Sequence, residues 1–267
     1  MDRIYRIDDT GAVRHVIEQD GIVSLLDGDL FDGYRPGREI GRTDAAGALP
    51  RHLRILAPLV PSKIVAIGRN YREHAAETGK PVPTEPVIFI KPSTAVIGPG
   101  QPIRMPPGAG RVDHEAEIAV VIRRRASHVP RARAAEFILG ITCSNDVTAR
   151  EMQRRGVQFS HCKGYDTFAP LGPCIAVALD ASALQVEAWV NGTRRQAGNS
   201  RDMIFPIDEL VEYISSVMTL LPGDVISTGT PAGIAPLAPG DTVTIKVEGV
   251  GELTNPVVMG YEGPVNG

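Results

Sequence analysis

The chain is poor in cysteine, in aromatic residues and in uninterrupted apolar runs, and each shortage closes off a class of protein. Three cysteines, Cys143, Cys162 and Cys174, are too few and too oddly numbered for a disulfide framework, and their separations match no CxxC zinc pattern. They read as buried thiols, with Cys162, next to Lys163, the one candidate for reactivity. Aromatic residues make up 5% of the chain, and none interleaves with the basic cluster Arg123-Arg124-Arg125, which reads as a solvated strand end and not a base-stacking surface. With a formal net charge of -3, no nucleic-acid partner is expected. No apolar run approaches the roughly 20 residues of a membrane span. The opening Met1-Asp-Arg-Ile-Tyr-Arg6 lacks a signal peptide's apolar segment, so no membrane partner and a cytoplasmic location are expected.

What is present is an ordinary globular balance, 43% hydrophobic and 22% charged over 267 residues, enough to bury a substantial core. Residues 1–57 alternate short strand-like pieces (Arg3 to Ile7, Val13 to Ile17, Gly21 to Leu26) with Gly, Asp and Pro turns, and hold no cluster spaced for chemistry. They read as a small β-rich domain followed by a second unit over 58–267, divided near Pro58 and Pro61, or else as an integral edge of one domain.

Glu115-Ala-Glu-Ile-Ala-Val-Val-Ile122 carries the most chemistry. Its β-branched run reads as a buried strand, and alternation then sends Glu115 and Glu117 to the same face, roughly 7 Å apart along the chain. Two like charges on a core strand persist only if protonated, paired with cations, or bound to a metal. Asp146 lies where the strand from Ile141 gives way to a helix expected over Val147 to Arg155. It is either that helix's N-cap or a third carboxylate oxygen for the pair. Three carboxylates without thiolates favour a hard cation, Mg²⁺ or Mn²⁺.

Other stretches offer chemistry more weakly. In the polar turn after Gly68, His74 and Glu77 stand at i and i+3, where a carboxylate can orient an imidazole as a general base; a plain surface helix has the same spacing. The prolines from Pro81 to Pro107 suit either a segment folding over a site or an ordinary surface loop. Ala132 to Gly140 reads as a short helix stopped by glycine. Asn191-Gly192 marks a hairpin turn, and Pro206 opens an amphipathic helix with Ile207, Leu210, Val211, Ile214 and Val217 as its apolar stripe. The Gly229-Thr-Pro-Ala-Gly233 loop offers N–H groups to an anion but lacks the lysine and spacing of a P-loop.

Six motifs fall in a telling order: Gly68-Arg-Asn-Tyr-Arg-Glu-His-Ala-Ala-Glu77, Glu85-Pro-Val-Ile-Phe-Ile-Lys-Pro-Ser93, Glu115-Ala-Glu117, Asn145-Asp-Val-Thr-Ala-Arg150, Lys163-Gly-Tyr-Asp-Thr-Phe168 and Gly229 to Gly233. Together, across about residues 60 to 260, they resemble the fumarylacetoacetate hydrolase family. The resemblance implies a mainly β, α+β chain folded as a mixed β-sandwich roll, a homodimer, and one Mg²⁺ or Mn²⁺ beside a 2-oxo acid. It implies Glu115, Glu117 and Asp146 as metal ligands, and Lys163 as the lysine turned toward substrate. Arg150, Gln153 and Thr230 fall where the family contacts substrate oxygens, and His74 and Glu77 fall on the lid dyad of the acylpyruvase-like branch. Arg69, Tyr71 and Asp166, inside the matched motifs, are further substrate-binding candidates. The hydrolase that names the family has another Asp ligand near this His, whereas the place near Arg69 offers no carboxylate. That departure argues for the smaller-substrate branch.

The activity so implied is cleavage of a carbon-carbon bond in an acylpyruvate or fumarylpyruvate through a stabilised enolate. The alternatives are isomerisation of 2-hydroxyhepta-2,4-diene-1,7-dioate, decarboxylation of oxaloacetate, or a non-catalytic protein stapled by the metal.

Overall fold

A computed structural model describes residues 1–156 and 158–260; the last seven positions of the unit expected over 58–267 lie outside them. Strands occupy 44% of the chain and helices 15%, so the protein is mainly β with short helices, as expected. A twelve-stranded sheet, a five-stranded sheet and a two-stranded ribbon make up the β structure. Most pairings are antiparallel, but Val225–Ser227 runs parallel to Ile64–Gly68, and Gly251–Met259 runs parallel to Ile103–Met105, which makes the roll a mixed one.

Ala116–Ile122 is the middle of the large sheet, flanked by Ile138–Asn145 and Val225–Ser227, and every one of its residues is buried. Its alternation separates two layers of core. Ala116, Ile118, Val120 and Ile122 face the five-stranded sheet with Val186, Val243 and Ile245, while Ala119 and Val121 face the opposite cluster with Ile4, Ile64 and Leu171. Full burial of a Val or Ile side chain contributes about 1.5–3 kcal/mol. A one-residue slip would exchange the two layers and turn Glu117 into the one that holds Val186, Val243 and Ile245, so the apolar register also fixes the face on which Glu117 emerges.

The N-terminal strands Arg3–Asp9, Ala12–Gln19, Ile22–Asp29 and Gly33–Arg42 form a meander. It continues the large sheet, because Arg3 and Ile4 pair with Ala176 and Ile175 of the strand Ala169–Val177. The fourth strand, beyond the three pieces read from the sequence, contains Pro36 and occupies the sheet edge, where proline is tolerated.

Three local expectations are corrected. The short helix expected over Ala132 to Gly140 is a 3-10 helix, Arg131–Phe137, and glycine does not stop it, because it leads straight into Ile138–Asn145. Gly140 lies inside that strand because a Cβ there would stand 2.4 Å from the Ala176 carbonyl oxygen of the neighbouring strand. The helix expected from Val147 begins only at Arg150, because Thr148–Ala149 first pairs with Val112–Asp113. In the helix Ile207–Val217, Leu210, Val211 and Ile214 are buried but Val217 is 56% exposed. Its last turn packs instead through Ser215, whose hydroxyl accepts the Val129 N–H.

Candidate functional site

Antiparallel register assembles the acidic cluster. Ala116 pairs with Asn145 and Glu117 with Ser144, and the Asp146 N–H donates to the Glu115 carbonyl at 2.9 Å. The Asn145 side chain accepts the Glu115 N–H, fixing the peptide that carries the first carboxylate. Glu115, Glu117 and Asp146 thus offer oxygens that all lie within 4.8 Å of one another, and all three residues are buried. Among the described residues no helix is long and apolar enough to cross a membrane.

Buried cations balance this cluster. Lys163, from the short helix Ser160–Lys163, donates to Glu115 at 2.8 Å, to Asp146 at 2.5 Å and to the Thr148 hydroxyl at 2.8 Å. Burial opposes its charge most strongly, yet Asp146 and Glu115 together outweigh that and hold it above the usual lysine range. Lys91, at the end of Val87–Lys91, donates to the other Asp146 oxygen. There burial wins, and the Lys91 ammonium titrates below its usual value. Arg150 donates to Glu115, to Gln153 and to Asp113, and Asp113 also takes two hydrogen bonds from Arg111.

The two glutamates end in opposite electrostatic states. Burial pushes the Glu115 carboxyl up, but Lys163 and Arg150 overcome it and leave that group well below the usual carboxylate range. At Glu117 burial acts in concert with Asp146 and Glu115, and the carboxyl is pushed up to about 8. The Ser227 hydroxyl and the Gly229 N–H both donate to one Glu117 oxygen, which fixes its direction.

A cavity of about 850 Å³ opens above the cluster, lined by Glu115, Glu117, Lys163 and Arg150 at its floor and by His74 and Glu77 on its wall. His74 and Glu77 come from the helix Arg72–Glu77, with His74 Nδ1 at 3.1 Å from a Glu77 oxygen. A carboxylate only accepts, so Nδ1 carries the proton, and it is the neutral imidazole that holds a lone pair at Nε2. The other Glu77 oxygen accepts the Gly233 N–H, so the Gly229 to Gly233 loop spends its outermost N–H groups on Glu117 and Glu77.

The other sequence candidates divide. Arg69, Gln153 and Thr230 also line the cavity. Asp146 does not; it lies beneath, covered by the two lysines. Tyr71 is buried with its hydroxyl unpartnered, its ionisation suppressed first by burial and then by Glu117, and it is not part of the lining. Asp166, in the exposed turn after Lys163, is likewise absent from the lining. Cys162 is not activated by its lysine neighbour, because burial pushes the thiol up. Sequence reasoning missed Lys91 and Asp113, both buried beside the cluster; the signal available was a lysine closing an apolar strand whose alternation points it inward.

A mixed β roll around a deep cavity floored by paired acids and bases defines a small-molecule enzyme. The chain belongs to the fumarylacetoacetate hydrolase family: the model of the fumarylacetoacetate hydrolase C-terminal domain matches residues 63–258. The solved 2-hydroxyhepta-2,4-diene-1,7-dioate isomerase of Mycobacterium marinum is 40% identical, with a TM-score of 0.87 over 98% of this chain and 100% of that one. The 5-carboxymethyl-2-hydroxymuconate delta-isomerase of Mycobacterium smegmatis is 47% identical, with a TM-score of 0.85 over 96% of this chain and 99% of that one. Protein Rv2993c of Mycobacterium tuberculosis is 50% identical over 209 residues, which cover 77% of this chain and 79% of that protein.

Proposed function

We propose that this chain is a metal-dependent hydrolase that cleaves a carbon-carbon bond in a 2,4-dioxo acid of the acylpyruvate or fumarylpyruvate type. The observation that carries the reading is the convergence on one cavity of a carboxylate floor and an oriented imidazole. Glu115, Glu117 and Asp146 supply a hard, all-oxygen donor set within 4.8 Å, which suits Mg²⁺ or Mn²⁺. The raised Glu117 supports the fit, since a cation there would relieve the repulsion that favours its protonated form. When bound, such a cation supplies Lewis-acid stabilisation of charge developing on the 2-oxygen.

The chain's own groups do the rest. His74, its Nδ1–H turned to Glu77, takes a proton from water at Nε2 as the water oxygen attacks the 4-carbonyl; the C3–C4 bond then breaks, the acyl part leaves as a carboxylic acid, the electron pair passes to the enolate of the 2-oxo acid, and C3 takes the proton back from Nε2. Arg150 and Lys163, buried cations in the cavity lining, would face the substrate's carboxylate and 2-oxygen. All three Lys163 hydrogens are engaged by Glu115, Asp146 and Thr148. Ligation of those two carboxylates would release the ammonium toward the substrate.

A second reading, isomerisation of a 2-hydroxyhepta-2,4-diene-1,7-dioate, is supported by the similarity to the Mycobacterium marinum isomerase of that substrate. It asks His74 only to shuttle a proton. A panel of acylpyruvates, fumarylpyruvate, oxaloacetate and hydroxyheptadienedioate, assayed with Mg²⁺, Mn²⁺ and EDTA, separates the two. Absence of metal-dependent turnover across the panel would sink both. A homodimer and a division of the chain near residue 57 belong to the same proposal, checked by light scattering and limited proteolysis.

A further inference from the structure

Ala116 separates the two floor glutamates, and both of its main-chain groups are satisfied by side chains. Its N–H donates to Gln196 Oε1 at 2.9 Å, and its carbonyl accepts the Thr230 hydroxyl at 2.9 Å. Gln196 reaches in from the strand Thr193–Asn199 of the five-stranded sheet and is 1% exposed. Its amide orientation is unambiguous: the oxygen faces a main-chain N–H, and the nitrogen donates to the Pro231 carbonyl at 2.7 Å. The remaining amide hydrogen meets Thr230 Oγ1 at 2.7 Å, so Thr230 accepts from Gln196 while donating to Ala116.

This inventory decides what Thr230 can offer a ligand. Its single proton is committed to a fully buried carbonyl, and turning it away would strand that oxygen, a loss of about 1–3 kcal/mol. One of its lone pairs is taken by Gln196 and one is left. Thr230 lines the cavity with Glu115, Glu117 and Lys163, so a ligand oxygen reaching its hydroxyl must bring a hydrogen. The geometry points to Thr230 as a specificity-determining residue that accepts, and never donates, with Gln196 as the residue that positions it. The site thereby favours the hydroxyl-bearing enol form of a 2-oxo acid over its ketone form. This rests on the reading of the cavity as a 2-oxo acid site.

The test uses a matched pair that cannot interconvert by enolisation: 2-hydroxy-3,3-dimethylbutanoate and 3,3-dimethyl-2-oxobutanoate. Their dissociation constants are measured by calorimetry on the full-length Mg²⁺-loaded protein, in the wild type and in Thr230→Val and Thr230→Ser. The ratio of the two affinities within each variant cancels general damage to the floor. The wild type and Thr230→Ser should favour the hydroxy acid, relative to Thr230→Val, by roughly 2- to 10-fold, the worth of one net hydrogen bond. A ratio unchanged in Thr230→Val, or one that moves toward the hydroxy acid, overturns the inference alone. Binding of neither acid to the loaded wild type overturns the 2-oxo acid reading and the inference with it.

Discussion

The floor and the wall of the cavity are built from similar residue types under very different constraint. Glu115, Glu117 and Asp146 stand on or beside central strands, at most 4% exposed, with Glu115 and Asp146 paired to Lys91, Lys163 and Arg150. The His74–Glu77 pair stands on a six-residue helix, and the Glu77 side chain is 30% exposed. Removing one partner of a desolvated network leaves uncompensated charge in a medium that cannot reorient. A partly solvated pair loses little, because water replaces the partner. The floor should therefore fail as structure when altered, and the wall should fail only as chemistry.

Chelation should produce the largest effect on catalysis and sharpen the contrast. EDTA is expected to abolish turnover of the best panel substrate while the protein stays folded, because the lysines already neutralise the floor. Restoring the ion to 100 times its dissociation constant should return activity and add about 2.7 kcal/mol in urea unfolding. A chelated protein that unfolds would show that the ion, and not Lys91 and Lys163, holds the floor together. Next, Asp146→Ala should cost about 3–5 kcal/mol in urea, since two buried ammonium groups lose their shared carboxylate. Glu77→Ala should cost about 1 kcal/mol or less. Similar losses would erase the distinction. His74→Ala should lower turnover by about 10²- to 10⁴-fold with unchanged Mg²⁺ affinity by calorimetry; full activity would remove the dyad from the mechanism. The smallest effect is on pH. Glu117 must lose its proton to ligate, so Mg²⁺ affinity should climb about tenfold per pH unit up to its raised value near 8 and then level off. A flat profile from pH 6 to 8 would show that Glu117 is already ionised.

Elements written in local chemistry could be read from the chain. Val87–Lys91, the strand after Glu115 and the hairpin turning at Asn191-Gly192 follow from β-branched runs and from a dipeptide that tolerates positive φ, here 50° and 76°. The acidic cluster and the dyad were legible because each depends on spacing within one element or on an ordered set of motifs. What escaped depends on neighbours far along the chain. Gly140 resembles a helix stop until the Ala176 carbonyl is set against it. Lys91 has only its inward alternation to mark it until Asp146 is placed over its ammonium, and Asp113 has no mark at all until Arg111 and Arg150 close on it. The Thr230 hydroxyl reads as a donor until Gln196 arrives from the other sheet.

The join between the first strand and the large sheet bears on how the protein is made. The meander over residues 3–42 closes through near neighbours and can form soon after it leaves the ribosome, but its seat, Ala169–Val177, is translated more than a hundred residues later. At about 5–20 residues per second the nascent meander spends many seconds with an unclaimed edge. Pro36 and the arginines of Gly33–Arg42 protect its outer side, and Ile55 and Arg54 soon pair with Ile7 and Asp8, while Arg3 and Ile4 wait for their partner. Truncations or slow codons before position 169 should therefore reveal themselves first as aggregation in the cell.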